Sequence, residues 1–393
     1  MSFFRFYEAR ESNLSANDVV VWRRIRLNSS GDAKRALPSA SEFEGDWAEH
    51  TGDWRISPLI HPQGLCDVAE AIHESGMKFL LWFEPERVRY QTPIVSEHPE
   101  YFLRNGESHN LLLDLGNEEA WNYCFETLSG IIERLNIDCY RQDFNFQPLT
   151  YWRQNDAEDR RGISEIKHIT GLYRLWDALL EKFPHLIIDN CASGGRRIDI
   201  ETLRRSMPMW RSDYQCPANY DAEASQCHAL GFNTWMPYSG TGTGRLYDEY
   251  CVRGSYASSQ TSGYFYTENE PYIETPEKVA FLRKHLSEYL RIRPYFAEDF
   301  YPLTEYSAAL DAWCGWQLHD PEKNEGAVQL FRRENSPYDS ATLALFGLEA
   351  GRVYRFEDAD GGEFEASADE LLSGSRFVIP EKRCAKLYFY RAL

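Results

Sequence analysis

The sequence predicts an α/β fold: a (β/α)8 barrel followed by a small antiparallel β-sandwich domain. Three observations carry this expectation. From Leu65 onward short apolar runs alternate with helical patterns, which implies parallel βα units. Almost every run is followed at its C-terminal end by a carboxylate, amide or aromatic residue, and in a barrel those ends share one face. Beyond about Asp320 the texture changes to short β-like runs separated by turn residues.

The elements follow in order. Residues 1–38 read as an atypical N-terminal segment, with the barrel over 39–320 and the β-sandwich over 321–393. Within the first segment, residues 18–27 hold the only β-like candidate for a first barrel strand. Arg23, Arg24 and Arg26 fit a barrel interior poorly. Leu65, Val68, Ala69 and Ile72 have helical spacing. Lys78 to Phe83 reads as a fully buried strand ending in Glu84-Pro85-Glu86. Leu111 to Leu113 ends in Asp114, and Asn117 to Leu135 is a long amphipathic helix. Ile137 to Tyr140 leads to Asp143, and Ile163 to Phe183 is helical. Leu186 to Ile188 leads to Asp189, Met207 to Trp210 to Asp213, and Thr234 to Met236 to Pro237-Tyr238. A last strand is expected near Tyr256 to Tyr266. A doubly wound sheet also places ligands at strand ends, but it usually carries a Gly-rich phosphate loop. Gly194-Gly195 and Gly240 to Gly244 lack that spacing. In the C-terminal part, Ala327 to Arg332, Thr342 to Phe346, Val353 to Glu357, Phe377 to Ile379 and Lys386 to Tyr390 are the β-like runs, separated by turns.

Composition removes several function classes. A net charge of −19 argues against nucleic acid or an anionic membrane as partner, since both are met with basic patches. No apolar run of about 18 residues is present, and Met1 to Arg5 opens no signal-peptide pattern. Nine cysteines are an odd count without C-x-x-C spacing, and read as reduced thiols of a cytoplasmic enzyme. The histidines His61, His73, His98, His109, His168 and His228 show no metal-binding spacing, so neither metal nor cofactor is expected. Eleven Trp and 24 Tyr offer flat apolar faces with a polar edge, which suit sugar rings as well as a packed core. A homo-oligomer is left open.

Two carboxylates at strand ends are what glycosidic cleavage requires, one on each side of the anomeric carbon. Asp143 and Asp213 each follow a short apolar run and have an Arg two residues earlier. Alternation puts Arg141 on the face of Asp143, where it can keep that carboxyl ionised; the bland alternative is an ion pair locking the barrel. Glu84, Glu86, Asp114 and Asp189 share the strand-end position and compete for the same roles.

Several motifs in order resemble one family. Gly76 to Phe79, Trp82 to Glu86, His98 to Tyr101, Leu111 to Leu115, Asp143 to Asn145, Cys191 to Arg197 and Arg211 to Asp213 look like the α-galactosidases, or melibiases, of glycoside hydrolase family 36. The resemblance implies a retaining α-glycoside hydrolase acting on α-galactosides. It implies Asp143 as nucleophile and Asp213 as acid/base, with Trp54, Asp53, Arg141, Cys191, Gly195, Glu84 and Asn145 around the sugar. The same machinery on an α-N-acetylgalactosaminide or α-glucoside is the alternative, as is an impaired sugar-binding relic. Arg141 and Gln142 stand where the family has Lys and Trp, and no D-x-G-W motif precedes Ser39.

Overall fold

The computed structural model describes residues 51–52, 54–56, 64–74, 76, 78–106, 108–215, 217, 219–243, 247–262 and 275–393. The first-strand candidate at 18–27 and Asp53 lie outside the described residues. The chain divides into two compact units between Met209 and Trp210.

The first unit is built on parallel strands. Helix α1 (Cys66–Glu74) precedes β1 (Leu80–Phe83), a wholly buried Leu-Leu-Trp-Phe run. There follow β2 (Arg87–Arg89), α2 (Pro93–Glu97), β3 (Phe102–Leu103), β4 (Asn110–Leu113), α3 (Glu118–Leu135) and β5 (Cys139–Gln142). Then come α4 (Leu149–Asn155), α5 (Ile163–Lys182), β6 (Ile187–Asn190), α6 (Ile200–Leu203) and the start of β7 (Met209–Trp210). β1 pairs in parallel with β5, β5 with β6, and Asn190 of β6 with Met209.

The structure corrects one expected barrel strand. Leu111 to Leu113 belongs to β4, the centre of an antiparallel sheet flanked by β2 and β3. A run of buried leucines satisfies either arrangement, because burial on both faces removes the alternation that marks an antiparallel strand. β2 to β4 therefore form an excursion on the way from β1 to β5, with α3 completing the crossover.

Local chemistry fixes the long helices. Asn117 Oδ1 accepts from Glu119 N (2.9 Å) and Ala120 N (3.3 Å) at the start of α3, satisfying donors the first turn leaves open. The helix stops at Asn136, which is left-handed with φ 47°. Leu128, Ile131, Ile132 and Leu135 of α3 join Leu172, Leu175, Trp176 and Leu179 of α5 in one core with Leu81, Phe83, Tyr140 and Ile188. Each such side chain stabilises by roughly 1.5–3 kcal/mol on burial. α5 lies close to the chain at Gly171, where a Cβ would strike Leu115 O.

The second unit contains α7 (Ala222–Phe232), β8 (Ser239–Thr243), α8 (Glu249–Gly254), β9 (Ser259–Ser262) and α9 (Pro276–Ile292). β8 and β9 pair in parallel. Here the second correction falls: Thr234 to Met236 is a turn after α7, and the strand is Ser239–Thr243 instead. Its Ser-Gly-Thr-Gly-Thr sequence is buried throughout yet contains no apolar side chain, so hydrophobicity could not reveal it.

The unit continues as β10 (Asp299–Pro302), β11 (Trp313–Asp320), β12 (Glu325–Arg332), β13 (Ser340–Leu343), β14 (Val353–Asp358), β15 (Glu363–Ser367), α10 (Ala368–Ser373), β16 (Ser375–Val378) and β17 (Cys384–Ala392). One antiparallel sheet runs β10-β11-β12-β17-β14-β15, and β13 pairs with β16 in a second. Two strands of the larger sheet thus precede residue 321. Val328, Leu330, Tyr354, Phe356, Leu371, Phe377 and Ile379 form its core.

Candidate active site

Strand register stacks the polar residues of the first unit in two layers. Trp82 of β1 is opposite Arg141 of β5, and Arg141 opposite Asp189 of β6. Partners in a parallel ladder share a face, and so do residues two apart. Asp143 N donates to Phe83 O (2.8 Å) and Cys191 N to Gln142 O (2.8 Å), extending the ladder one residue past the strands. Glu84, Asp143 and Cys191 therefore form the next layer on the same face.

In the lower layer Arg141 Nη1 donates to both oxygens of Asp189, at 2.8 and 2.7 Å. Burial raises the Asp189 carboxyl above its ordinary range, and Arg141 opposes that. The cross-strand ion pair that locks the sheet is thus present, and it engages Asp189 rather than Asp143.

In the upper layer Asp143 is 6% exposed and well supplied with donors. Trp82 Nε1 reaches Oδ2 at 3.1 Å, while Phe144 N and Ser193 N reach Oδ1 at 2.7 and 3.1 Å. Burial alone would raise this carboxyl. The Asn145 side chain, the nearby Arg141 charge and the two backbone N–H groups outweigh it and hold Asp143 below the ordinary aspartate value. Glu84 differs: burial pushes it up and Asp143 adds to that, against the Arg87 ion pair at 2.6 Å. Its other oxygen accepts from Asn145 N at 2.5 Å. Glu84 therefore orients Arg87 and the chain at Asn145. Asp114 accepts from Gly116 N (2.9 Å) and shapes a turn.

The loop after β6 completes this surroundings. Ser193 (φ 47°) and Gly194 (φ 84°) are both left-handed, which turns the Ser193 N–H back toward Asp143. A serine there carries strain of order 1 kcal/mol, and its Oγ meets Asn145 Oδ1 at 3.0 Å. Cys191 is buried, and Gly195 is bridged to Ala192. Trp54 is buried, with its ring 6.4 Å from Trp82 and 5.6 Å from Phe83.

The opposite face of β5 holds a supporting network. Gln142 Oε1 accepts from Tyr140 Oη (2.8 Å) and Trp176 Nε1 (2.7 Å), and its Nε2 donates to Glu86 (2.7 Å). Glu86 is fully buried and also binds His168 Nε2 (2.9 Å) and both Arg197 nitrogens (2.8 and 2.5 Å). Burial opposes its charge, but Arg197 and His168 bring the carboxyl down to about 2. Gln142 thus points away from the face of Asp143, so its departure from the family pattern leaves that face unaltered. Arg141 is the departure that lies on it.

In the second unit Asp213 opens a 3-10 turn, Asp213–Gln215, and is exposed. Trp210 Nε1 donates to its Oδ1 at 2.8 Å. Arg211 turns elsewhere, to Ser239 Oγ and Asn233 Oδ1, each at 2.7 Å. With these neutral acceptors, burial draws its guanidinium down to about 9.

Sequence reasoning missed Trp82, Ser193 and Trp210 as partners of the two aspartates. The tryptophans left a signal, since a buried indole N–H needs an acceptor. Ser193 left none, because it acts through its backbone.

Parallel βα units with acids at their strand ends define the class: a barrel-type α/β protein whose site lies at the strand C-terminal ends. Residues 44–222 match the melibiase family model. An α-galactosidase of Lactobacillus acidophilus is 27% identical over 363 residues, which is 87% of this chain and 47% of that protein. An Escherichia coli α-galactosidase is 31% identical over 52% of this chain and 31% of its own length. The crystal structure of a Lactobacillus brevis α-galactosidase superposes with TM-score 0.77 at 19% identity, over 100% of this chain and 58% of that one. A family 36 enzyme of Geobacillus stearothermophilus gives 0.75 at 23% identity, over 89% and 50%. The likeness over residues 44–222 is to the melibiases. The chain spans about half the length of the curated relatives it matches.

Proposed function

We propose that the chain is a retaining α-galactosidase, with Asp143 as nucleophile and Asp213 as acid/base. One observation carries the reading. Of the three acids on one face, Asp143, Asp189 and Glu84, only Asp143 is held below its ordinary range; the others are raised. Carboxyls pushed apart in this way take different roles, and the ionised one suits attack on an anomeric carbon. Asp143 attacks to form a glycosyl ester while Asp213 protonates the leaving oxygen. Asp213 then takes a proton from water, which attacks the ester and frees Asp143.

Asn145, Arg141, Cys191, Gly195 and Asp53 contact the sugar in this reading, with Trp54 and Glu84 backing the pocket. Crystal structures of Geobacillus stearothermophilus enzyme variants contain raffinose and stachyose, and α-galactoside oligosaccharides are the substrate class proposed here. A cytoplasmic setting is part of the proposal: the eight described cysteines are free thiols, six of them buried.

The test is release of nitrophenol from the α-galactoside, α-N-acetylgalactosaminide and α-glucoside. The α-galactoside is expected to be preferred, and Asp143→Ala to lower kcat by roughly 10³-fold or more. Asp213→Ala should spare the aryl glycoside relative to melibiose, whose leaving group needs a proton. A preference for the α-glucoside, or an Asp143→Ala variant keeping most of its rate, would overturn the assignment.

A further inference from the structure

We infer that Arg211 is a positioning residue for Asp213: its buried side chain, together with that of Gln215, anchors the short exposed turn that carries the carboxyl. The inference rests on the reading of Asp213 as acid/base.

Exposure changes abruptly along this turn. Asp213 and Tyr214 are exposed, whereas Arg211 before them is 4% exposed and Gln215 after them is fully buried. Long polar side chains are costly to bury unless hydrogen-bonded. An apolar pair would hold the turn down without that cost, but hydrophobic contact has no direction. Hydrogen bonds fix an orientation, and an acid/base needs one, since misplacement by about 1 Å can cost a hundredfold in rate.

Arg211 ties the turn to β8 and to the C-terminal end of α7. Its backbone N–H donates to Gly240 O (3.0 Å), its Nε to Ser239 Oγ (2.7 Å) and its Nη2 to Asn233 Oδ1 (2.7 Å). Asn233 is the C-cap of α7, where the helix dipole favours a cation. That placement explains a buried guanidinium with no carboxylate partner among the described residues. Gln215 makes the second tie, its Nε2 donating to His228 Nδ1 (3.1 Å) on the same helix. The bond requires an unprotonated Nδ1. Burial and the Arg211 charge both hold His228 below its ordinary value, so the first anchor sustains the second. The carboxyl itself accepts from Trp210 Nε1 (2.8 Å). Asp213 is thus held directly by an indole and, through the chain on either side, by two buried polar anchors.

Two measurements on the full chain test the anchor. The first is the ratio of kcat for p-nitrophenyl α-galactoside to kcat for melibiose, whose leaving group needs the proton. In Arg211→Met, which fills the space without the bonds, the ratio is expected to rise about tenfold, and Arg211→Lys to keep it closer to the wild type. Asn233→Ala, outside the turn, should raise the ratio in the same sense. A loss of fold lowers both rates alike. If Asp213→Ala raises the ratio and neither Arg211→Met nor Asn233→Ala does, the anchor is overturned. The second measurement is the indole N–H resonance of Trp210 by NMR, identified by its loss in Trp210→Phe and independent of turnover. Asp213→Ala frees that N–H and shifts it, and Arg211→Met and Gln215→Leu are expected to shift it the same way. If Asp213→Ala leaves the ratio unchanged but Arg211→Met still moves the resonance, the acid/base reading fails and the anchor stands. If Arg211→Met and Gln215→Leu both leave the resonance in place, the anchor falls whatever the activity.

Discussion

Asp143 shows how one carboxyl is singled out among neighbours. Its two oxygens receive an indole N–H and two backbone N–H groups, with Asn145 and Arg141 nearby, and the sum outweighs the cost of burial. A depressed folded value keeps Asp143 ionised to lower pH. It also contributes stability present above the unfolded aspartate value of about 3.9 and lost as pH falls through the folded one. The acid limb of kcat/KM is therefore expected below the ordinary aspartate range. Asn145→Ala should move that limb upward while leaving the alkaline limb in place. A pH–rate profile of both proteins checks this, and an unmoved acid limb would remove Asn145 from the account. The position of Asp143 was legible from the sequence, because an acid after an apolar run marks a strand end. Its support through Ser193 was not, since a backbone N–H carries no residue-type signal.

At the scale of elements, β5 separates two kinds of polar chemistry by alternation. Arg141 and Asp143 serve one face; Tyr140 and Gln142 tie the other to Glu86, Trp176, His168 and Arg197. Glu86 is the hub. Its carboxyl, brought down to about 2, contributes stability above the unfolded glutamate value of about 4.3 that is lost as pH falls toward 2. Glu86→Gln leaves half-buried Arg197 without its counter-charge, and a loss of roughly 3 kcal/mol is expected. Denaturant unfolding at neutral pH measures it; a change below about 1 kcal/mol would show that the network is dispensable. The elements themselves were unevenly legible. β1 announces itself as a run of Leu, Trp and Phe, and the short apolar runs Ile137 to Tyr140 and Leu186 to Ile188 lead into β5 and β6. β8 is buried Ser, Gly and Thr, invisible to any hydrophobic pattern, and β4 reads alike in parallel and antiparallel settings.

For the whole molecule, charge is the property that counts. The chain carries a net charge of −19, so a charged substrate would be steered or repelled over a range set by salt. The proposed substrate is neutral. Its kcat/KM should accordingly stay within about twofold between 0.05 and 0.5 M salt, where a charged substrate's association would change steeply. A strong salt dependence with p-nitrophenyl α-galactoside would point to an ionic substrate instead. No helix among the described residues is long and apolar enough to cross a membrane.

The indole of Trp82 lies in hydrogen-bond contact with Asp143, the carboxylate whose charge would be lost in the proposed glycosyl ester. Indole emission responds to a charge at that distance, so the proposed nucleophile comes with a built-in optical reporter. Subtracting the emission of a Trp82→Phe variant isolates its signal from the other ten tryptophans. Accumulation of the proposed ester and its hydrolysis would then be separable in time without a label or a chromogenic substrate, and an α-galactoside oligosaccharide could be followed directly.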